Sequence, residues 1–105
     1  MHSRCECRLT VLGSQREVQS FRNSAWEKIL SLRYPEPLEF SPGRFVCQFE
    51  TVAPNGKAPH WPRLCRLSRR WPGLVLLLDF EVAVKRIKGL ARVRAGELAH
   101  CEIGY

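Results

Sequence analysis

The stretch FVCQFETVAPNGKAPHWPRLCRLSRRWPGLVLLLDFE, Phe45 to Glu81, decides the fold, because three different periodicities follow one another in it with little slack. Phe45, Cys47 and Phe49 alternate with Arg44, Val46 and Gln48, the period of two expected of a half-buried strand. After Pro54-Asn55-Gly56, the residues Trp61, Leu64, Cys65, Leu67, Ser68 and Trp71 share one face at helical spacing, while Arg63, Arg66, Arg69 and Arg70 lie largely on the rest. Pro59 and Pro62 are compatible with this helix only in its first turn, and Pro72-Gly73 closes it. Leu74 to Phe80 is then apolar on both faces apart from Asp79, as a central strand covered on both sides would be.

Working outward, Cys5, Cys7, Leu9 and Val11 alternate with Glu6, Arg8 and Thr10, which predicts an opening strand ended by Gly13. Ser14 stands three residues before Glu17 in a capping-box pattern, and Val18, Phe21, Ala25, Ile29 and Leu32 recur at helical spacing. The expected first helix runs from Gln15 to Leu32 and stops before Pro35, with Arg16, Gln19, Asn23 and Glu27 on its outer face. Leu38 to Phe40 forms a short strand turned by Ser41-Pro42-Gly43 into the Phe45 strand. Near the C-terminus Ile87, Gly89, Ala91, Val93 and Ala95 alternate with Arg86, Lys88, Leu90, Arg92 and Arg94, giving a strand with a basic stripe. Gly96 permits a turn or bulge, and Leu98 to Tyr105 continues as strand.

The order strand, helix, hairpin, helix, strand predicts an α+β fold of the ferredoxin-like βαββαβ sandwich type: an antiparallel sheet, two helices on one face, and an additional C-terminal strand. A length of 105 residues makes residues 1–105 a single domain, and 45% apolar with 26% charged residues is ordinary for a globular protein. The longest apolar run, Leu74 to Leu78, is far short of the ~20 residues that span a bilayer, so no membrane is expected as a partner. Five cysteines, an odd number in a chain of this size, fit a reducing cytoplasm better than a secreted disulfide framework.

Cys5-x-Cys7-Arg8-Leu9-Thr10-Val11-x-Gly13 resembles the opening strand of the YubB-type ferredoxin-like domain family of plasmid, phage and other bacterial mobile-element proteins. Phe49-Glu50-Thr51, Pro54, Trp61, Leu64, Leu67-Ser68 and Pro72-Gly73-Leu74 resemble its strand-to-helix signature, and Glu81 with Gly89 its acidic-to-glycine ending. The resemblance implies a fold and a mobile genetic element as the setting. It implies no activity, because none is established for the family.

The residue types that carry chemistry are weakly arranged. Cys5 and Cys7 with His100 and Cys101 could form a tetrahedral zinc set if the terminal strands paired, but the spacing lacks the usual C-x2-C knuckle, and Cys5 and Cys7 share a face with Leu9 and Val11. Core packing is the plainer reading, with no metal and no cofactor. A Cys-His nucleophile pair would have to come from Cys65 or Cys101 with His60 or His100, and nothing in the spacing brings a base within reach. Asp79 and Glu81, two apart on one strand face, are expected to meet Arg86 or Lys88 across the final hairpin rather than to act as an acid-base pair. No catalytic constellation is expected.

The net charge of +7 is the feature with a functional direction. From Lys57 to Arg94 there are ten Lys or Arg residues against only Asp79 and Glu81. Lys57, Arg63, Arg66, Arg69 and Arg70 on the second helix, with Arg86, Lys88, Arg92 and Arg94 on the late strand, form the expected phosphate-contacting set for nucleic acid. Gly43-Arg44-Phe45-Val46-Cys47-Gln48-Phe49 does not match the RNP1 pattern, and Phe45, Cys47 and Phe49 read as core rather than a stacking platform, so base stacking on this strand is not expected. The alternative reading is a self-associating protein-interaction module. A sheet with helices on one side leaves its other face open, so Val75 and Leu77 should be covered by the C-terminal strand or by a second copy in a homodimer. No small-molecule ligand is indicated.

Overall fold

The computed structural model describes residues 3–24, 26, 33–54, 56 and 58–105. In chain order these form β1 (Ser3–Leu12), α1 (Gln15–Arg22), β2 (Arg33–Ser41), β3 (Arg44–Ala53), α2 (Trp61–Arg69), β4 (Val75–Val82), β5 (Ile87–Arg94) and β6 (Glu97–Gly104), with a single 3-10 turn at Ala83–Lys85. The architecture is α+β: one six-stranded antiparallel sheet in the order β2-β3-β1-β4-β5-β6, with the helices packed on one of its faces.

Alternation in the sequence translates directly into layers. Cys7, Leu9 and Val11 of β1 are opposite Phe80, Leu78 and Leu76 of β4 on one side and Phe49, Cys47 and Phe45 of β3 on the other, and all of these are buried, as is Cys5 at the start of the same face. Ala91 and Val93 of β5 continue this apolar face, which α1 covers with Val18 and Phe21 and α2 with Leu64 and Leu67. Four aromatic contacts tie the helices down: Phe21 stacks on Trp26 at 5.5 Å and meets Trp71 edge-on at 5.1 Å, while Trp61 meets Phe80 at 5.4 Å and stacks beside His100 at 4.9 Å.

The helix ends have identifiable causes. The Ser14 hydroxyl accepts from the Glu17 N–H at 3.2 Å, as the capping box requires of its first residue, and the Glu17 carboxylate reaches back to accept from that hydroxyl, also at 3.2 Å. α1 ends at Arg22, with Asn23 as its C-cap; of the expected continuation to Leu32, Ala25, Glu27, Ile29 and Leu32 lie outside the described residues. α2 is capped by His60, whose Nδ1 accepts from the Arg63 N–H at 3.3 Å, with Pro62 in the first turn. The Trp71 indole donates to Ser20 Oγ at 3.1 Å, joining the end of α2 to α1.

Two expectations about strands are corrected. The first hairpin arm begins at Arg33 rather than Leu38. Pro35 and Pro37 are accommodated because β2 is an edge strand, where an N–H can be missing without breaking the sheet, and its pairing with β3 slips twice, between Arg33 and Glu36 and between Pro37 and Glu39. The C-terminal region is two strands rather than one. Ala95 (φ 49°) and Gly96 (φ 83°) both lie in the left-handed region and reverse the chain in a two-residue turn, so β6 folds back on β5. Both added strands lie in the plane of the sheet, and the C-terminal strand therefore does not cover the face opposite the helices.

The turn is anchored from beneath, because Ser68 Oγ, buried in α2, accepts from the Gly96 N–H at 2.8 Å and donates to the Cys65 carbonyl at 2.7 Å. Ala95 is the poorer of the two turn residues, since its Cβ is strained at positive φ and asparagine tolerates that conformation. Ala95→Asn is expected to stabilise the fold by about 0.5–1 kcal/mol, read as a higher urea midpoint at unchanged slope; an unchanged or lower midpoint would show that the turn is not limited by Ala95.

Candidate functional site

The sheet separates two surfaces of different chemistry. Opposite the helices, the cross-strand registers define rows of side chains on an open face. One row runs Arg33, Glu50, Glu6, Glu81, Lys88 and Ile103 across β2, β3, β1, β4, β5 and β6; the next runs Glu36, Gln48, Arg8, Asp79, Leu90 and Cys101. These rows floor a concavity of about 790 Å³. Beyond them lie Thr10, Leu77, Arg92 and Ala99, then Leu12, Val75, Arg94 and Glu97.

This face is nearly neutral. Arg4, Arg8, Arg33, Arg44, Lys88, Arg92 and Arg94 are balanced by Glu6, Glu36, Glu39, Glu50, Asp79, Glu81 and Glu97. Many of the charges answer one another locally. The Arg4 guanidinium lies 2.9 Å from both Glu6 and Glu50, which raises its pKa further, and Arg44 is 3.2 Å from Glu39. Glu81 stands opposite Lys88 across the β4–β5 hairpin, as expected, and its carboxylate also accepts from the Tyr105 hydroxyl, an interaction that raises the tyrosine's pKa. Arg86 takes no part in that register; it occupies a left-handed turn with its guanidinium 5.7 Å from the Tyr105 ring. Asp79 is opposite Arg8 on β1 and Leu90 on β5.

The helical layer is different. α1 and α2, with the flanking Arg70, present Arg16, Arg22, Arg63, Arg66, Arg69 and Arg70 as exposed side chains against a single carboxylate, Glu17, which is engaged by Ser14. Glu17 also lies against Gly73, turned toward the end of α2 rather than outward. Among the described residues, Arg66, Arg69 and Arg70 have no carboxylate within ion-pair distance. Arg22 lies over the Phe40 ring at 4.2 Å.

The basic residues expected to act together are therefore divided. Arg63, Arg66, Arg69 and Arg70 are on the helical layer, whereas Lys88, Arg92 and Arg94 point from β5 to the open face on the other side of the sheet, beside carboxylates. Lys57 lies outside the described residues. Arg16 of α1, which the sequence places on the outer helix face without marking it as functional, and Arg22, which the sequence reading does not single out, extend the helical basic set. Val75 and Leu77 are half-buried on the open face, beside Leu12 and Thr10 of β1 and near Arg94 and Arg92 of β5.

The sulfur and imidazole groups do not converge. Cys5 and Cys7 are on β1 and His100 and Cys101 on β6, with β4 and β5 between them, so at about 4.8 Å per strand the two pairs are roughly 14 Å apart across the sheet. Cys5 and Cys7 are buried, with sulfurs 3.7 Å apart. His60 is occupied as the cap of α2, and His100 stacks on Trp61. Among the described residues no group of three or more His, Cys, Asp or Glu side chains is placed to hold a metal ion, and no helix is long and apolar enough to cross a membrane. No protein-family model, curated protein or solved structure matches the chain.

The hydrogen bond between Cys5 and Cys7 moves the two thiols in opposite directions, lowering the pKa of Cys5. The Cys7 thiol is held well above its ordinary pKa, first by its hydrogen bond with Cys5 and then by burial, both of which disfavour the thiolate. A raised pKa in the folded state means that stability from the neutral thiol is complete below the unfolded-state value and is lost as pH rises above it, from about pH 8.5 upward. Denaturant midpoints should accordingly fall between about pH 8 and 10 in the wild-type protein and fall less in Cys7→Val; parallel curves would remove the thiol from the alkaline loss.

Proposed function

We propose that this protein binds nucleic acid through the outer surface of its helical layer, contacting phosphates with Arg63, Arg66, Arg69 and Arg70 of α2 and Arg16 and Arg22 of α1. The observation that carries the reading is the partition of charge: among the described residues, α1, α2 and the flanking Arg70 carry six exposed arginines and one carboxylate, Glu17, engaged by Ser14, while the open face is balanced. A polyanion gains from releasing counterions only where positive charge is not already neutralised, and the row Glu50, Glu6, Glu81 makes the open face a poor host for phosphate. Binding on this basis reads the backbone rather than the bases and is expected to be weakly sequence-selective.

The setting in which this binding operates is the cytoplasm, in keeping with five free cysteines, three of them buried. The order β2-β3-β1-β4 of the first four strands, with α1 and α2 on one face, supports a ferredoxin-like reading of that part of the chain; the full order differs from the four-stranded pattern by β5 and β6, added beyond β4. Affiliation with the YubB-type family of mobile-element proteins remains a proposal resting on the motifs in β1, β3, α2 and β4. Self-association through Val75 and Leu77 is the weaker reading, because charged residues crowd both on the open face.

The test is a titration of fluorescent single- and double-stranded DNA and RNA at about 50 and 200 mM salt. Wild-type affinity should fall steeply with salt. The triple variant Arg66→Ala/Arg69→Ala/Arg70→Ala should lose roughly three counterions' worth of the logarithmic salt slope, whereas Lys88→Ala/Arg92→Ala/Arg94→Ala should bind nearly as the wild type does. Equal losses in both variants would contradict the assignment to one face, and no binding at low salt would remove nucleic acid altogether.

A further inference from the structure

We infer that β6 is a homotypic edge, through which a second copy of this chain adds its own β6 to give a continuous twelve-stranded antiparallel sheet. The two edges of the sheet are treated very differently. β2 carries Pro35 and Pro37 and two register slips, devices that prevent a further strand from pairing. β6 is a regular eight-residue strand with no proline, no lysine or arginine and no slip against β5, and all of it but Leu98 is exposed. Among the described residues, no strand pairs with its outer row of N–H and C=O groups.

The backbone determines which residues can pair. Arg94 and Glu97 flank the two-residue turn, and the Tyr105 N–H donates to the Arg86 carbonyl at 2.8 Å, so Glu97, Ala99, Cys101 and Ile103 direct their polar groups toward β5. Leu98, His100, Glu102 and Gly104 direct theirs outward. A two-fold axis normal to the sheet at Cys101 satisfies this parity, pairing His100 with the partner's Glu102 and Leu98 with the partner's Gly104 in hydrogen-bonded positions. Ala99 then faces the partner's Ile103 on the open side, and each imidazole faces a carboxylate. Shifting the axis to Glu102 would oppose two carboxylates, and shifting it to His100 would set Ile103 against the partner's Glu97 and Leu98 against the partner's Glu102. Complementarity thus favours the Cys101 register and a second copy as the occupant.

The inference rests on the edge and not on nucleic-acid binding, but it has a consequence for that reading. Because the axis is normal to the sheet, the helical layers of both copies lie on the same side, and α2, which packs over β5 and β6, is brought beside its counterpart with the arginines outward.

Cys101 reports the register. The two Cys101 residues would form a directly opposed, non-hydrogen-bonded pair with Cα atoms about 4.5 Å apart, within the span of a disulfide. In a Cys65→Ser background, diamide, which takes up the two hydrogens released by two thiols, should link the chains through Cys101, and the further change Cys101→Ser should abolish the link. Light scattering at about 100 μM should give twice the 12.1 kDa chain mass. Glu102→Pro should halve it with an unchanged circular dichroism spectrum, since the N–H it removes points away from β5. A wild-type monomer, or a dimer that neither crosslinks at Cys101 nor responds to Glu102→Pro, would overturn the inference; should Glu102→Pro fail to fold, the crosslink alone decides.

Discussion

The antiparallel pairing of β1 with β4 is the constraint from which the rest of the molecule follows. It places Cys7 opposite Phe80, Leu9 opposite Leu78 and Val11 opposite Leu76 at the centre of the sheet, and these residues are buried. Truncating Leu9, Leu76 or Leu78 to alanine would cost about 2–5 kcal/mol, a large part of the stability of a domain this size. β3 attaches to the free side of β1 and β5 to the free side of β4, and the helices lie over the apolar face so produced. The same pairing aligns Glu6 with Glu81 and Arg8 with Asp79 on the opposite face. One register therefore creates both the core and the charge pattern of the open surface.

From that register comes the division of labour between the two sides. Charges on adjacent strands stand about 5 Å apart, close enough for carboxylates and guanidinium groups to satisfy one another, and the open face settles into near neutrality. Among the described residues, Arg66, Arg69 and Arg70 of the helical layer have no carboxylate within ion-pair distance. Glu17, the carboxylate of the described helical turns, is taken up by Ser14 in starting α1. Among the described residues, the excess of positive charge is therefore concentrated on the helical side of the sheet. This arrangement concerns binding and solubility rather than folding, because exposed arginines contribute little to stability.

Much of the fold was legible because burial imposes simple periods. The alternation of Cys5 to Val11 and of Phe45 to Phe49 marked two strands, the face from Trp61 to Trp71 marked α2, and the unbroken run Leu74 to Leu78 marked a central strand. β2 was shortened in the reading because Pro35 and Pro37 argue against a strand unless it lies at an edge, which is a property of the assembled sheet. The reversal at Ala95-Gly96 was half visible: Gly96 signalled a turn, but alanine at φ 49° is not a residue that announces one. The cap on α2 was missed because an imidazole does there what a serine or aspartate usually does. For the candidate site, helical spacing correctly put the α2 arginines outside. The alternation of β5 likewise grouped Lys88, Arg92 and Arg94, but a period of two does not say which face the helices will cover, and so the two sets were joined when the sheet separates them.

The central claim, that ligand contacts belong to the helical layer and not to the open face, is tested most directly by amide chemical-shift mapping of the labelled protein with a short RNA or DNA oligonucleotide at low salt. The account predicts shifts concentrated in Gln15–Arg22 and Trp61–Arg70, with β5 residues Lys88 to Arg94 unmoved. Shifts centred on Lys88 to Arg94 and the Glu50, Glu6, Glu81 row, or no shifts anywhere, would contradict it.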